Sequence, residues 1–312
     1  MSQPPITTTE KTFSSYNQEQ GNAYAAARPD YHPGLYQFIL DQHTATSGQL
    51  DTLLDVGSGP GNVARSLGAH FAHAVGLDPS EGMVSTARSL GGTTSTAEPI
   101  RFEMSTAEDL GTNLSPPIQD ASVDLITAGN AAHWFDMPHF WSTAARVLKP
   151  GGSVILWTSG QTRIHPSVPN AAAIQAEMDR IEEEYLVPYF VPGNWLVRNR
   201  YSELPLPWTL DTPITEFDET TSSRKDWDVE TDFFAINPEV NLDLFEKITA
   251  TGSPVTRWRQ AHPESIGTER DVLKIYRRAI ERLLHEAGVE EGKEMIKGAT
   301  YGLVLVVKKK KI

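Results

Sequence analysis

The chain has 312 residues, 39% apolar and 21% charged, an ordinary globular composition with enough length to bury a sizeable core in one domain. Forty acidic side chains against 27 basic ones leave a net charge of −13, a field that repels nucleic acid and anionic membrane. The absence of cysteine removes disulfides, thiolate metal sites and cysteine nucleophiles together.

In chain order, the opening stretch MSQPPITTTEKTFSSY lacks the apolar core of a signal peptide. Apolar runs then alternate with helical patterns. Leu53–Val56, Ala74–Leu77, Ile100–Met104, Val123–Thr127 and Ser153–Trp157 read as strands, and Asn62–Phe71, Ser80–Ser89 and Pro138–Leu148 read as helices. That rhythm predicts a parallel sheet covered on both faces. From about Gln161 the rhythm changes. Ile174, Met178, Ile181 and Tyr185 mark an amphipathic helix, followed by a proline-rich stretch holding Tyr189, Phe190, Trp195, Tyr201 and Trp208. Leu273, Tyr276, Ile280 and Leu283 mark another helix, ending at Gly288. Leu303–Val307 is the longest clean apolar run, a strand far too short to span a membrane. A soluble, cytoplasmic protein is expected. The basic run Lys308–Lys311 reads as a solvated tail.

The residues LLDVGSGPGN at 53–62 pose the central question, since such a loop lets a ligand approach the backbone. It fails the dinucleotide fingerprint, because Asn62 stands where the third glycine belongs, and it lacks the lysine of a phosphate loop. Asp55 puts negative charge beside Gly57 and Gly59, which suits a cationic amine better than a pyrophosphate. The helix N-terminus near Asn62 offers N–H donors to a carboxylate. Asp78 falls 19 residues after Gly59, the spacing at which doubly wound folds bind both ribose hydroxyls. Ribose and an amino-acid group without phosphate point to S-adenosylmethionine.

Asp55–Gly61 (DVGSGPG), Leu77–Ser80 (LDPS), Ser105–Leu110 (STAEDL) and Leu148–Gly152 (LKPGG) resemble the successive motifs of class I methyltransferases. The resemblance implies an α/β, doubly wound, Rossmann-like sheet of seven strands with the last antiparallel. It implies that Gly57 and Gly59 line the methionine moiety, that Asp78 binds ribose, and that Ala107 and Glu108 flank adenine, with Thr106 standing where many members have aspartate. The chain then reads as one methyltransferase domain over 1–312, with an N-terminal lid over 1–40 and a helical, aromatic substrate-side insertion with C-terminal helices over 161–290. Tyr24–Pro33 (YAAARPDYHP) and Ala131–Asp136 (AAHWFD) are similar to segments of the trans-aconitate and cantharidin methyltransferase group, although His32 adds one residue before the proline. That similarity implies a small-molecule acceptor, an N-terminal segment folded over the cofactor, and Arg28 near the cofactor's carboxylate.

Ser14, Ser15, Asn17, Gln18 and Gln20 surround few apolar anchors, so residues 13–31 read as a mobile lid in which Tyr24 presses on the closed site. The alternative is a helix permanently docked on the sheet. Asn130, after the fourth strand, is expected at the cofactor. His133 follows it as candidate general base, or else shapes the pocket with Trp134, because a carboxylate acceptor needs no base. Arg163, Arg198 and Arg200 are candidate clamps for a carboxylate acceptor or plain surface charges. The scattered histidines have no ligand spacing, and no metal is assigned. A carboxylic acid or a natural-product oxygen is the expected acceptor, with nitrogen or carbon methylation and a cofactor-binding protein without transfer as alternatives. A monomer or homodimer is expected.

Overall fold

The computed structural model describes residues 12–311 other than 29, 47 and 232, so the first part of the 1–40 segment and Pro29 lie outside the described residues. Two helices, α1 (Gln18–Ala27) and α2 (Pro33–Thr44), lead into β1 (Thr52–Val56), α3 (Asn62–Gly68), β2 (His73–Asp78), α4 (Glu81–Leu90) and β3 (Arg101–Met104). The alternation continues through β4 (Val123–Gly129), α5 (Met137–Val147) and β5 (Leu148–Thr158). The second half adds β6 (Thr162–Ile164), α6 (Ala171–Ile181), α7 (Pro192–Arg198), β7 (Phe217–Trp227) and β8 (Glu239–Asn241). It closes with α8 (Leu242–Ala250), α9 (Ser253–Ala261), α10 (Val272–Glu286), β9 (Met295–Thr300) and β10 (Gly302–Lys309).

The main sheet has seven strands in the order β3-β2-β1-β4-β5-β10-β7, and the last strand, β10, runs antiparallel to both neighbours. β1 to β5 pair in parallel, and β1, β2, β4 and most of β5 are buried on both faces, which is why they read as apolar runs, while β3 is a partly exposed edge strand. One face packs Phe140, Trp141 and Ala144 of α5 against Ile126, Leu156 and Leu305. The other packs Leu35 and Ile39 of α2 and Leu67 of α3 against Leu53, Leu125 and Val304. Residues 57–61, 78–80, 105–110 and 130–136 all leave the carboxyl ends of β1 to β4, where open α/β sheets bind ligands.

The 161–290 stretch divides in two ways. Residues 217–227, polar throughout their middle, form the edge strand β7 of the main sheet, where a single pairing partner leaves room for exposed Thr, Ser, Arg and Lys. Helices α6, α8 and α10 instead pack around a second sheet, β6-β9-β8, and its own small core of Ile174, Leu242, Ile280 and Ile296. Gly288 follows α10 at φ +87°, the left-handed stop that the sequence anticipates.

Helix α1 starts in a capping box, Asn17 and Gln20 each bonding the other's backbone N–H at 3.0 and 2.9 Å. It lies on α4 through two glycines: a Cβ on Gly21 would stand 2.6 Å from the Gly82 carbonyl, and one on Gly82 only 2.3 Å from the Asn17 carbonyl. The N-terminal segment is thus a helix docked by close backbone approach.

Lys308–Lys311 is not a solvated tail. Lys308 is 5% exposed and donates to the carbonyls of Gln42 and His43, at the C-terminal end of α2, and to Ser153 Oγ. Lys309 donates to the carbonyls of Ala145 and Leu148 at the end of α5. Each lysine thus donates to carbonyls at a helix C-terminus, where intrahelical donors run out. Only Lys310 and Lys311 are exposed. His43, fully buried, joins the same cluster through Nδ1 to Ser153 Oγ and Nε2 to the Gln49 carbonyl, and burial lowers its pKa.

Replacing Lys308 with Met should cost about 1–3 kcal/mol, because it strands buried acceptors, whereas Lys310→Met should leave stability unchanged within about 0.5 kcal/mol. Urea unfolding monitored by circular dichroism measures both.

Candidate active site

The glycine loop uses its glycines for different reasons. All three have left-handed backbones: φ is +65° at Gly57, +53° at Gly59 and +87° at Gly61. A Cβ on Gly57 would meet the Ala131 Cβ at 2.6 Å, and one on Gly61 would meet the Phe102 ring at 2.7 Å, so both keep neighbours close. A Cβ on Gly59 would meet nothing within 4 Å. Gly59 therefore faces open space at the carboxyl edge of the sheet, and a ligand there meets backbone.

Two buried carboxylates flank that space. Asp55, 1% exposed, accepts a bond from Thr127 Oγ1 at 2.8 Å through Oδ1, while its Oδ2 is buried with no hydrogen-bond partner. Burial pushes its pKa up to about 7, with Asp78 adding repulsion and Thr127 and the Ala64 N–H opposing the shift. Asp78, 8% exposed, takes the N–H of Ser80 on Oδ1 and the N–H of Gly59 on Oδ2, each at 2.9 Å. Burial raises it to about 6. Each Asp78 oxygen keeps one lone-pair direction beyond those bonds. An orphaned buried oxygen beneath the loop, with the Gly59 gap beside it, fits a ligand that brings a cationic amine and hydroxyl donors.

The remaining predicted residues surround this space. Ala107 is buried, and Glu108 Oε1 accepts the N–H of Asp136 at 2.8 Å, tying the loop after β3 to the loop after β4. Thr106 Oγ1 takes the Asp109 N–H, so it caps the turn in which Ala107 and Glu108 lie. Tyr24 is half-buried in a ring cluster with Phe13, Tyr16 and Trp134, at centroid separations of 5.5 to 6.4 Å. The Tyr16 carbonyl accepts from the Gly82 N–H at the start of α4, next to Asp78. Arg28 is exposed, with its guanidinium 5.4 Å from the Tyr24 ring centroid.

Asn130 has a left-handed backbone, φ +52°, and a side chain spent on the protein. Its Oδ1 accepts from the Ser159 N–H at 2.8 Å and Thr158 Oγ1 at 3.0 Å, and its Nδ2 donates to Tyr31 Oη and Ser159 Oγ. It therefore braces the loop that carries His133. His133 Nδ1 lies 2.8 Å from Tyr201 Oη, and burial pushes its pKa down to about 3, so the ring is neutral. Sequence reasoning missed Thr127, Thr158 and Tyr201, and gave Tyr31 no role. Tyr31, inside the quoted YAAARPDYHP segment, was within reach of the sequence. Tyr201, at φ +53°, was not, since nothing in sequence ties it to His133.

The candidate arginine clamps are engaged elsewhere. Arg163 forms two bonds to Asp179 at 2.8 and 2.9 Å, Arg198 pairs with Glu183 over the rings of Phe190 and Trp195, and Arg200 lies 3.7 Å from Asp226.

With this geometry in hand, residues 54–156 match the family described as a methyltransferase domain. That match covers about a third of the chain and makes residues 54–156 similar to a methyltransferase domain, for which S-adenosylmethionine is the cofactor. A candidate methyltransferase of Dictyostelium discoideum is 31% identical over 160 residues, which are 51% of this chain and 54% of that protein. The methyltransferase cfoB of Aspergillus candidus is 32% identical over 157 residues, 50% of this chain and 47% of its own. The chain thus spans about half the length of the curated relatives it matches. A candidate type II methyltransferase structure from Anaeromyxobacter dehalogenans covers 90% of this chain and 97% of its own at TM-score 0.61 and 23% identity, a likeness of fold. No helix among the described residues is long and apolar enough to cross a membrane.

Cofactor affinity should rise between about pH 5.5 and 8. Below pH 7 the raised Asp55 is protonated and offers the ligand's ammonium no charge, and protons released on binding make affinity grow until Asp55 is ionised without ligand. Asp55→Asn should flatten that rise and weaken binding about ten- to hundredfold at pH 8. Calorimetry with S-adenosylhomocysteine across pH measures both.

Proposed function

We propose that the protein transfers a methyl group from S-adenosylmethionine to an oxygen atom of a small organic acceptor. One observation carries this reading: the unpartnered, buried Asp55 Oδ2 beside the open face of Gly59, with Asp78 set to take the ribose. When bound, the cofactor supplies an electrophilic methyl carbon on its sulfonium. Asp55 would hold the amine, the N–H groups that open α3 would meet the carboxylate together with Arg28, and Ala107 and Glu108 would flank adenine. Small-molecule specificity is supported by the resemblance of residues 24–33 and 131–136 to the trans-aconitate and cantharidin methyltransferase group.

The docked segment from Thr12 to Arg28 would act as a gate in this reading, because the Phe13–Tyr16–Tyr24–Trp134 ring cluster bridges α1 and the loop after β4. Opening would admit the cofactor and closing would exclude water before transfer. Hydrogen exchange should show residues 13–28 more protected with S-adenosylhomocysteine than without it. Equal protection in both states would leave a permanently docked helix.

The function is tested with radiolabelled cofactor and a panel of small acids, phenols and amines. Transfer to at least one oxygen acceptor is expected, and Asp78→Ala should weaken S-adenosylhomocysteine binding about ten- to a hundredfold by removing a paired acceptor. Transfer to nitrogen or carbon alone would correct the acceptor atom. Tight binding without transfer to any acceptor would mark a cofactor-binding protein.

A further inference from the structure

The sheet buries a second polar cluster away from the glycine loop, where Lys308 of β10 and Ser153 of β5 are direct register partners. Lys308 Nζ spends its three N–H groups on neutral acceptors: the Gln42 carbonyl at 2.7 Å, the His43 carbonyl at 3.3 Å and Ser153 Oγ at 2.9 Å. Burial pulls its pKa down to about 8, so the amine still carries its charge at pH 7. The same Ser153 oxygen lies 2.9 Å from His43 Nδ1, and His43 Nε2 lies 2.8 Å from the Gln49 carbonyl.

The direction of these bonds is fixed by groups that cannot reverse. A backbone carbonyl only accepts, so Nε2 carries the hydrogen and, in the neutral ring, Nδ1 accepts the Ser153 O–H. Ser153 Oγ then accepts from Lys308. Donation therefore runs one way, from Lys308 through Ser153 and His43 to Gln49. Gly48 lets the loop close over the ring, since a Cβ there would stand 2.5 Å from His43 Cε1. A second proton breaks this order. With Nδ1 protonated, His43 and Lys308 would both donate to one oxygen, and two cations would share a buried site. Asp124 of β4 pulls the other way, but its Oδ2 already takes Lys149 Nζ and the Thr52 N–H, each at 2.8 Å. Lys149 also holds Asp51, and the Phe71 ring, 6.0 Å from His43 between centroids, brings no charge.

We propose that this cluster is an acid-opened latch: a proton arriving on His43 Nδ1 displaces the Ser153 hydroxyl from the chain and frees the C-terminal end of α2 and the end of β10. The helix so released starts two residues after Tyr31, whose hydroxyl accepts from Asn130 Nδ2 at 2.9 Å, so α2 joins the latch to the loop after β4. In the unfolded chain His43 takes its proton near about pH 6.5. In the latched state it does so lower, through burial and the neighbouring Lys308, with Gln49 and Asp124 opposing. Between those values the open state binds the extra proton, and the latch weakens as pH falls.

The test is magnetic resonance of full-length protein carrying nitrogen-15 histidine, with His43→Gln identifying the His43 signals. At pH 7 the wild type should show Nε2 protonated and Nδ1 bare. His43 should titrate below the ordinary histidine range, and Lys308→Met should move its midpoint upward by removing the competing cation. Hydrogen exchange, corrected for the intrinsic pH dependence of amides, reads the opening itself. Protection of residues 40–45 and 304–308 should fall by up to about tenfold per pH unit below about pH 6, the limit set by one proton. His43→Gln keeps a donor for the Gln49 carbonyl but takes no proton, so its protection should stay level over the same range. A bare Nε2, a wild-type midpoint at or above about 6.5, an unmoved midpoint in Lys308→Met, or an equal acid loss in His43→Gln would each overturn the latch.

Discussion

Two carboxylates buried at the ends of adjacent strands, with no ion pair to either among the described residues, are the constraint from which the rest of the site follows. Asp55 and Asp78 raise each other's cost of ionisation, and an isolated buried charge is tolerated only when something returns what desolvation removes. Backbone N–H groups do part of this for Asp78, and its bond to Gly59 pins the glycine loop against β2. Asp55 has Thr127 on Oδ1 and the Ala64 N–H nearby, with no hydrogen-bond partner on Oδ2. A phosphate would worsen the imbalance, and an amine relieves it. The geometry thus selects the charge of its ligand before any side chain contacts it.

The other half of the site comes from further along the chain. β5 ends in Thr158 and Ser159, whose bonds to Asn130 lock the loop after β4. The turn after α7 swings Tyr201 onto that loop at a left-handed residue. Gly193 makes the approach possible, because a Cβ there would stand 2.5 Å from the Trp134 ring. The second-half elements therefore do more than cover the pocket: Tyr201 engages the His133 ring directly.

What could be read in advance divides along sequence distance. Gly59, Asp55 and Asp78 were legible because a strand, a tight loop and a helix hold them at short, fixed separations. The seven strands, with the last one antiparallel, came with the resemblance and agree with the structure. Strand β7 was hidden because an edge strand needs no apolar alternation. α2 was passed over although Leu35, Tyr36, Ile39 and Leu40 have helical spacing and Pro33 stands at its first turn. Lys308 and Lys309 misled because composition shows charge and not the carbonyls that receive it. Nothing local announces that Tyr201 meets His133 or that three arginines are already paired.

These pairings decide the chemistry more than the residue types do. An arginine beside an aromatic insertion suggests an anionic acceptor only while its charge is available, and here Arg163 and Arg198 are each held by a carboxylate, while Arg200 shares Asp226 with Arg224. A histidine at a sheet edge suggests a base only if one nitrogen is committed and the other is not. At His133 the committed nitrogen is Nδ1, 2.8 Å from Tyr201 Oη, while the Ser159 N–H fixes the orientation of the Asn130 amide behind the same loop. An excess of negative charge over the whole chain, buried acids under the cofactor loop and a described cavity lining without lysine or arginine agree with one another: each suits a ligand that carries positive charge.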